Sequence, residues 1–271
     1  MDPFTDRVAV ITGGAGGIGM AMARAFAARG AKLVLADLDD AALHTAVHEL
    51  TAKGAQAVGV HTDVTILESV RALGEAAVRH FGAAHIVCNN AGVATFGEIR
   101  RATHRDWEFT MNVNFWGVVH GVETFVPILL QQNAGGHVIN TASMAGLVGM
   151  QWLGIYSASK FAVVGLTEAL HRELKPHGIG VSVLCPMIVD TNINENSARM
   201  RPAHLRNQGE EPTVPPASDM KGGVIAADEV ARRVVRAIER KDLYILTHPE
   251  QRQFLQRRAA KLDAMFEEGS W

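Results

Sequence analysis

Short runs that are apolar at every position alternate with helical segments along nearly the whole chain. Val8-Ala9-Val10-Ile11 has no polar side, and Val181, Val183 and Leu184 mark a second such run. A strand with one wet face alternates polar and apolar residues. A strand apolar on both faces belongs in a parallel sheet covered above and below. The pattern predicts strands over 7–12, 32–36, 57–62, 85–89, 137–141, 180–184 and 243–246. Between them, segments such as 18–28, 41–52 and 69–80 carry apolar residues at the period of an amphipathic helix. Alternating strands and helices imply an α/β fold: one doubly wound, Rossmann-like parallel sheet of about seven strands with helices on both faces. Its 271 residues form a single domain on this reading. Ligands of such sheets sit beyond the carboxyl ends of the strands, where strand order reverses.

Composition narrows the function. Lysine and arginine number 26 against 28 acids, for a net charge of −2. A nucleic-acid partner is therefore not expected, because it calls for a basic face. Cys88 and Cys185 both lie in apolar runs and read as buried free thiols, which fits a reducing, cytoplasmic setting. The acidic start Met1-Asp2-Pro3-Phe4-Thr5-Asp6 is no secretory signal. The longest apolar stretch, 115–130, is interrupted by His120 and Glu123 and falls short of the ~20 residues of a membrane span. It reads as a buried helix, and no membrane partner is expected. His44 and His48 share a helix face without a third ligand at metal spacing, so no metal site is expected.

A glycine-rich turn follows the first strand: Thr12-Gly13-Gly14-Ala15-Gly16-Gly17-Ile18-Gly19. Glycines there let the backbone approach a pyrophosphate, and the helix that opens next offers free N–H groups. Asp37 ends the second strand, 18 residues after Gly19, where an acid can accept hydrogen bonds from the adenosine ribose. Its alternative role is to cap the next helix, which Asp39 or Asp40 could do instead. A carboxylate at Asp37 repels a 2′-phosphate. Like charges ~4 Å apart at an effective dielectric of ~20 cost about 4 kcal/mol. Neither Leu38 nor Gly16 supplies a cation to offset that, so the expected cofactor is NAD.

Tyr156-Ser157-Ala158-Ser159-Lys160 sets a phenol and an ammonium one helical turn apart. Ser143 lies 13 residues earlier, just past a strand end, and Asn90-Ala91-Gly92 closes another strand. An unperturbed phenol, with a pKa of about 10, is a poor base at neutral pH. Lowering it by ~3 units takes about 4 kcal/mol, which one cation about 4 Å away can supply. Lys160 is the candidate cation, with Tyr156 as acid/base and Ser143 positioning the substrate oxygen.

With these motifs in this order the chain resembles the short-chain dehydrogenase/reductases over nearly its whole length. The resemblance rests on 12–19, Asp63-Val64, Asn89-Asn90-Ala91-Gly92, Asn114, Ser143, Tyr156-x-x-x-Lys160 and Pro186 through Thr191. It implies that Asn114, Ser143, Tyr156 and Lys160 form a catalytic tetrad, with Asn114 holding a water. It implies further that Gly13, Gly17, Ile18, Gly19, Asp37, Leu38, Asp63, Val64, Asn90, Ala91, Gly92 and Pro186 line the cofactor. Tyr156 and Lys160 also face it, and Val189 and Thr191 would bind the carboxamide of the nicotinamide. The chain departs from the family's Pro-Gly with Pro186-Met187, which sets a flexible apolar side chain near the nicotinamide.

The residues after the strand ends, among them Phe96, Met144, Met150, Trp152 and Met187, suggest an apolar pocket. The expected partner is a small hydrophobic or aryl secondary alcohol or its ketone. Two rival readings are an NADPH-linked carbonyl or ketoacyl reductase and a non-catalytic NAD-binding sensor. Residues 190–225 are rich in Asn, Arg and Pro and follow a strand end, as a substrate lid would. A C-terminal helix is expected over 249–267, with the stripe Phe254, Leu255, Leu262, Met265 and Phe266. The helical segment 104–132 and the helix bearing Tyr156 resemble the family's paired-helix interface, which implies a homo-oligomer, a dimer or tetramer.

Overall fold

The structure is a computed structural model and describes residues 2–207 and 222–266. Seven parallel strands form the main sheet in the order β3-β2-β1-β4-β5-β6-β9. They are β1 Val8–Thr12, β2 Lys32–Asp37, β3 Ala57–His61, β4 Ile86–Asn89, β5 Gly136–Thr141, β6 Ile179–Cys185 and β9 Tyr244–Leu246. Each lies where the apolar runs place it. The strand order reverses between β1 and β4, so a crevice opens beyond their carboxyl ends.

Period-2 alternation divides the side chains between two cores. From β1, Ala9 and Ile11 pack with Met22 and Phe26 of helix α1 (Gly17–Ala27) and with Val230 and Val234 of α8 (Ala227–Arg240). Val8 and Val10 face the other way, toward Val70 and Leu73 of α3 (Leu67–Phe81), Phe125 and Leu129 of α5 (Gly117–Gln132) and Leu170 of α6 (Gly154–Leu174). Helix α2 (Asp40–Ala52) adds Leu43, Ala46 and Leu50 to the first core. Cys88 and Cys185 are free and buried.

The apolar segment around Phe115 is longer than the sequence reading allowed. Helix α4 (His104–Met111), a π-helical turn over Asn112–Trp116 and α5 run on as one helix. Its most apolar 18-residue window has a mean hydropathy of 1.4, so by length and composition this helix could cross a bilayer. In the fold, Gly117, Val118, Gly121, Phe125 and Leu129 are buried, while Trp116 and Leu130 stay exposed.

The 190–225 region is partly regular. Strand β7 (Ile188–Asp190) pairs in parallel with β8 (Val224–Ala226), and α7 (Ile193–Met200) lies between them. The rest of the expected lid, 208–221, lies outside the described residues. Helix α9 (Arg252–Asp263) occupies the expected C-terminal helical segment, and Leu262, Met265 and Phe266 are exposed. Residue 267 is not described.

Candidate active site

The crevice between β1 and β4 is built around Thr12. Its hydroxyl accepts from the N–H groups of Asn90 at 2.9 Å and Ala91 at 3.1 Å, which locks the ends of β1 and β4 together. Gly13 and Gly17 turn the loop with φ of 61° and 50°, a region that penalises any side chain. A Cβ on Gly19 would strike the Gly13 carbonyl. Gly16 caps α1 without a side-chain hydrogen bond, and a Cβ there would meet nothing within 4 Å. The start of α1 is thus left without a side-chain cap, as an anion seat at a helix N-terminus requires. Ile18, half-buried, follows in the same turn.

Asp37 lies beside this loop. Its carboxylate accepts from Ala15 N at 3.1 Å and Asp39 N at 3.2 Å. Capping of α2 falls to Asp39, which accepts from Ala42 N at 3.0 Å, so Asp37 is not spent as a cap. Leu38 is exposed next to it. Across the crevice, Asp63 is turned inward on Thr65, accepting from its N–H and hydroxyl at 2.9 and 2.7 Å. Val64 is buried against Gly117, and its carbonyl is 2.8 Å from His120 Nδ1, which donates to it. A dinucleotide fits these residues: a glycine turn at a helix N-terminus for phosphate, a carboxylate at the end of β2 beside that turn, and an apolar wall at Val64.

The reactive groups converge at the ends of β4 and β5. Tyr156 and Lys160 lie on one face of α6, and Lys160 Nζ donates to Thr141 O at 2.9 Å. Ser143 hydrogen-bonds the Tyr156 phenol. It also accepts from Ala145 N at 3.1 Å, and its single hydroxyl proton can turn instead to Pro186 O, 3.3 Å away. A Cβ on Gly92 would lie 3.3 Å from Asn114 Oδ1 and 3.4 Å from Lys160 Nζ, so that glycine brings the two groups together. Asn114 sits in the π-helical turn, fully buried, a local geometry frequent at functional sites. Its side chain accepts from Val93 N at 2.8 Å and donates to Val93 O at 2.9 Å and Ser159 Oγ at 3.2 Å. Asn90 donates to Thr12 O at 3.0 Å and accepts from the Thr141 hydroxyl at 3.2 Å. Its side chain thus holds the glycine loop to β5 rather than reaching into the crevice.

One electrostatic expectation is corrected. Burial pushes the Tyr156 phenol above its ordinary pKa, opposed by the hydrogen bond from Ser143. Lys160 does not lower it in the chain alone. Burial also brings the Lys160 ammonium down to about 8. Desolvation is the largest influence at both groups.

The residues expected to line a pocket differ in exposure. Phe96, Met150, Trp152 and Met187 are partly exposed around the crevice, whereas Met144 is only 1% exposed. Met144 N donates to Pro186 O at 2.8 Å, which ties its backbone to the end of β6. Trp152 has φ of 65°, strained for a bulky residue, and its carbonyl accepts from Gly97 N at 2.8 Å. The strain joins the loop after β4 to the loop before α6. Val189 and Thr191 lie on and just past β7, and a Cβ on Gly17 would come 3.1 Å from Thr191 Cγ2.

Comparison with known proteins settles the family. The short chain dehydrogenase family model matches residues 7–202. The chain belongs to the short-chain dehydrogenases. It is 36% identical over 276 residues to the CLA biosynthesis dehydrogenase/reductase of Lactiplantibacillus plantarum, covering 97% of this chain and 95% of that one. It is 35% identical over 261 residues to the C alpha-dehydrogenase of Sphingobium sp. strain SYK-6, with 95% and 85% covered. A short-chain dehydrogenase/reductase from Burkholderia phymatum, solved in complex with NAD, superposes with a TM-score of 0.91 at 41% identity, covering 98% of each chain.

Several contacts of this short-chain dehydrogenase left no local signal in the sequence. Ser197 of α7 accepts from Ala94 N at 2.9 Å, pinning that helix over the loop after β4. Arg199 reaches back to Asp39 at 2.7 Å and brings a cation near the end of β2 that the sequence neighbours of Asp37 do not supply. Arg201 pairs with Asp106 at 2.8 Å. His248, beyond β9, bonds the backbone on both sides of the 190–223 segment. All four partners are distant in sequence, so only the fold reveals them.

Proposed function

We propose that this oxidoreductase interconverts a hydrophobic or aryl secondary alcohol and its ketone with NAD as its cofactor. One observation carries the reading: Tyr156, Lys160 and Ser143 gather at the sheet edge, with Gly92 joining them to the glycine-loop crevice. The nicotinamide, when bound, accepts hydride from the alcohol carbon and contributes positive charge while oxidised. Ser143 Oγ orients the substrate oxygen. Tyr156 Oη takes the hydroxyl proton as the carbon loses hydride, and returns it in the reverse direction. Lys160 Nζ, anchored on Thr141 O, lies below the phenol and steadies the phenolate as it forms. Asn114 is a positioning residue on this reading, because both edges of its amide are bonded to Val93. A water held there would pass the proton on from Lys160.

Asp37 supports NAD over NADP, since its carboxylate repels a 2′-phosphate and Arg199 is already neutralised by Asp39. The NAD complex of the Burkholderia relative points the same way. The apolar wall of Phe96, Met150, Trp152 and Met187 supports a hydrophobic substrate. The exposed apolar side of α4–α5 at Trp116 and Leu130 supports a homo-oligomer. The test is formation of reduced nicotinamide by absorbance, with NAD and NADP in parallel, over aliphatic, alicyclic and aryl secondary alcohols. Turnover with NAD on the aryl members supports the reading. Turnover mainly with NADP points to a carbonyl reductase. Silence throughout, with NADH still bound in a calorimetric titration, points to a binding-only protein.

A further inference from the structure

His248 is only 3% exposed and belongs to neither the crevice nor the reactive cluster. It follows β9, yet its ring lies between the two ends of the segment that leaves the sheet after β6 and returns at β8. Nε2 is 2.9 Å from Gly223 O. A carbonyl only accepts, so Nε2 carries the proton and donates. Nδ1 is then bare, and it accepts from Met187 N at 3.3 Å and from the Thr247 hydroxyl at 2.6 Å. The ring therefore holds one fixed tautomer between two backbone groups 36 residues apart.

Each grip has its own consequence. Met187 immediately precedes β7, whose Val189 and the following Thr191 form the seat assigned above to the nicotinamide. Among the described hydrogen bonds, that of Met187 N goes to His248 alone. On the other side, Gly223 is held twice: its N–H donates to Glu250 Oε1 at 3.2 Å, and its carbonyl accepts from His248. It leads directly into β8, which pairs with β7 from Ile188↔Val224 to Asp190↔Ala226. Glycine after Pro186 would leave the backbone freer there. With methionine in that place, the N–H of residue 187 is tied to a buried imidazole.

We infer that His248 is a positioning residue with two separable duties: through Nδ1 it sets the backbone of the nicotinamide seat at Met187, and through Nε2 it fixes the returning chain at Gly223. The inference rests on the NAD reading above. The two ring nitrogens can be separated by substitution. An asparagine amide ends about where Nδ1 lies and keeps an acceptor for Met187. A glutamine amide reaches about where Nε2 lies and keeps a donor for Gly223.

The experiment measures NADH affinity by calorimetry and amide exchange over 222–226 in the full chain, in wild type, His248→Asn and His248→Gln, with thermal melts to confirm folding. Wild-type protein that binds no NADH removes the cofactor reading itself, and with it the first duty. Given wild-type binding, His248→Gln is expected to weaken NADH on the order of tenfold, the scale of one buried backbone group left unpaired. Exchange over 222–226 should then stay near wild type. His248→Asn is expected to keep NADH affinity within about twofold and to speed exchange over 222–226 on the order of tenfold. Parallel changes in both readouts for both variants, or no change in either, overturn the inference. Should a variant fail to fold, exchange at the Met187 amide in wild type decides. Protection comparable to β7 supports the bond to Nδ1, and the rate of a free amide overturns it.

Discussion

Lys160 Nζ lies 5.6 Å from the centroid of the Tyr156 ring while donating to Thr141 O on the neighbouring strand. The ammonium is thus fixed by the sheet, and the phenol is fixed relative to it by one turn of α6. Removing only the hydroxyl should leave this packing intact and delete the proton acceptor. Tyr156→Phe is expected to lower kcat by about 10²- to 10⁴-fold, the usual worth of general acid–base catalysis. NADH affinity by calorimetry should stay within about twofold. Unchanged turnover would show that the phenol does not handle the proton.

Asp37 is engaged by two backbone N–H groups, from Ala15 and Asp39, so its charge is aimed and not free to swing away from a 2′-phosphate. Asp37→Asn keeps an acceptor for the loop and removes the charge. Repulsion of about 4 kcal/mol at ~4 Å is an upper bound, because Asp37 is only half-buried and water screens part of it. The ratio of kcat/KM for NAD over NADP is therefore expected to fall by about 10- to 100-fold, mainly through gained NADP turnover. A ratio that does not move would assign cofactor choice to other residues, with Arg199, paired to Asp39, a candidate cation.

The parts of this molecule that were legible share one property: local sequence determines them. β1 and β6 stand out most clearly because burial on both faces keeps them almost wholly apolar, with every residue buried. Tyr156 and Lys160 stand out because one helical turn fixes their relation. β7 and β8 do not: each is three residues long and lies at an end of the Asn-, Arg- and Pro-rich stretch, where no apolar run stands out. Met144 looks like pocket lining because it follows a strand end. It is buried instead, with its backbone bonded to Pro186, and no local pattern encodes that. The rise in the Tyr156 pKa is hidden for a related reason. Spacing places the lysine near the phenol, but the balance between its charge and desolvation depends on how deeply the fold buries both.

His137 on β5 makes the fold acid-sensitive. Its ring is buried, and Nε2 is 2.7 Å from Ser182 Oγ. Burial drives its pKa from 6.5 down to about 3. The folded chain keeps this ring neutral while the unfolded chain protonates near 6.5, so the unfolded state binds more protons between the two values. Stability is then fully present above pH 6.5 and is lost as pH falls toward 3, by up to about 5 kcal/mol at 1.36 per unit. Denaturant unfolding at stepped pH should show this decline. His137→Gln, which cannot titrate, should be less stable at pH 7 and flatter between pH 6.5 and 4. An equally steep decline in the variant would place the acid sensitivity elsewhere.

Arg201 and Asp106 form the most enclosed ion pair described, at 2.8 Å with side chains 14% and 10% exposed. Asp106 closes the capping box of α4 with Thr103 and accepts from Asn207 Nδ2. Arg201 stacks its guanidinium 5.3 Å from the Phe109 ring and donates to Leu205 O. Burial raises the Asp106 carboxyl, but hydrogen bonds from Thr103, Arg201 and Asn207 outweigh it and the net shift is downward. Arg201→Met keeps much of the packing on Phe109 but leaves the carboxylate without its cation. Breaking such a pair costs about 3–5 kcal/mol when fully buried, and somewhat less here. The chain after α7 should loosen, raising KM for the alcohol that scores in the panel by about tenfold while leaving NADH affinity near wild type. Adding Asp106→Asn removes the stranded charge and is expected to recover most of the lost stability, because a neutral amide tolerates the site. Additive losses in that double-mutant cycle would mean the two residues act independently, and the pair would not be what fastens this segment to α4.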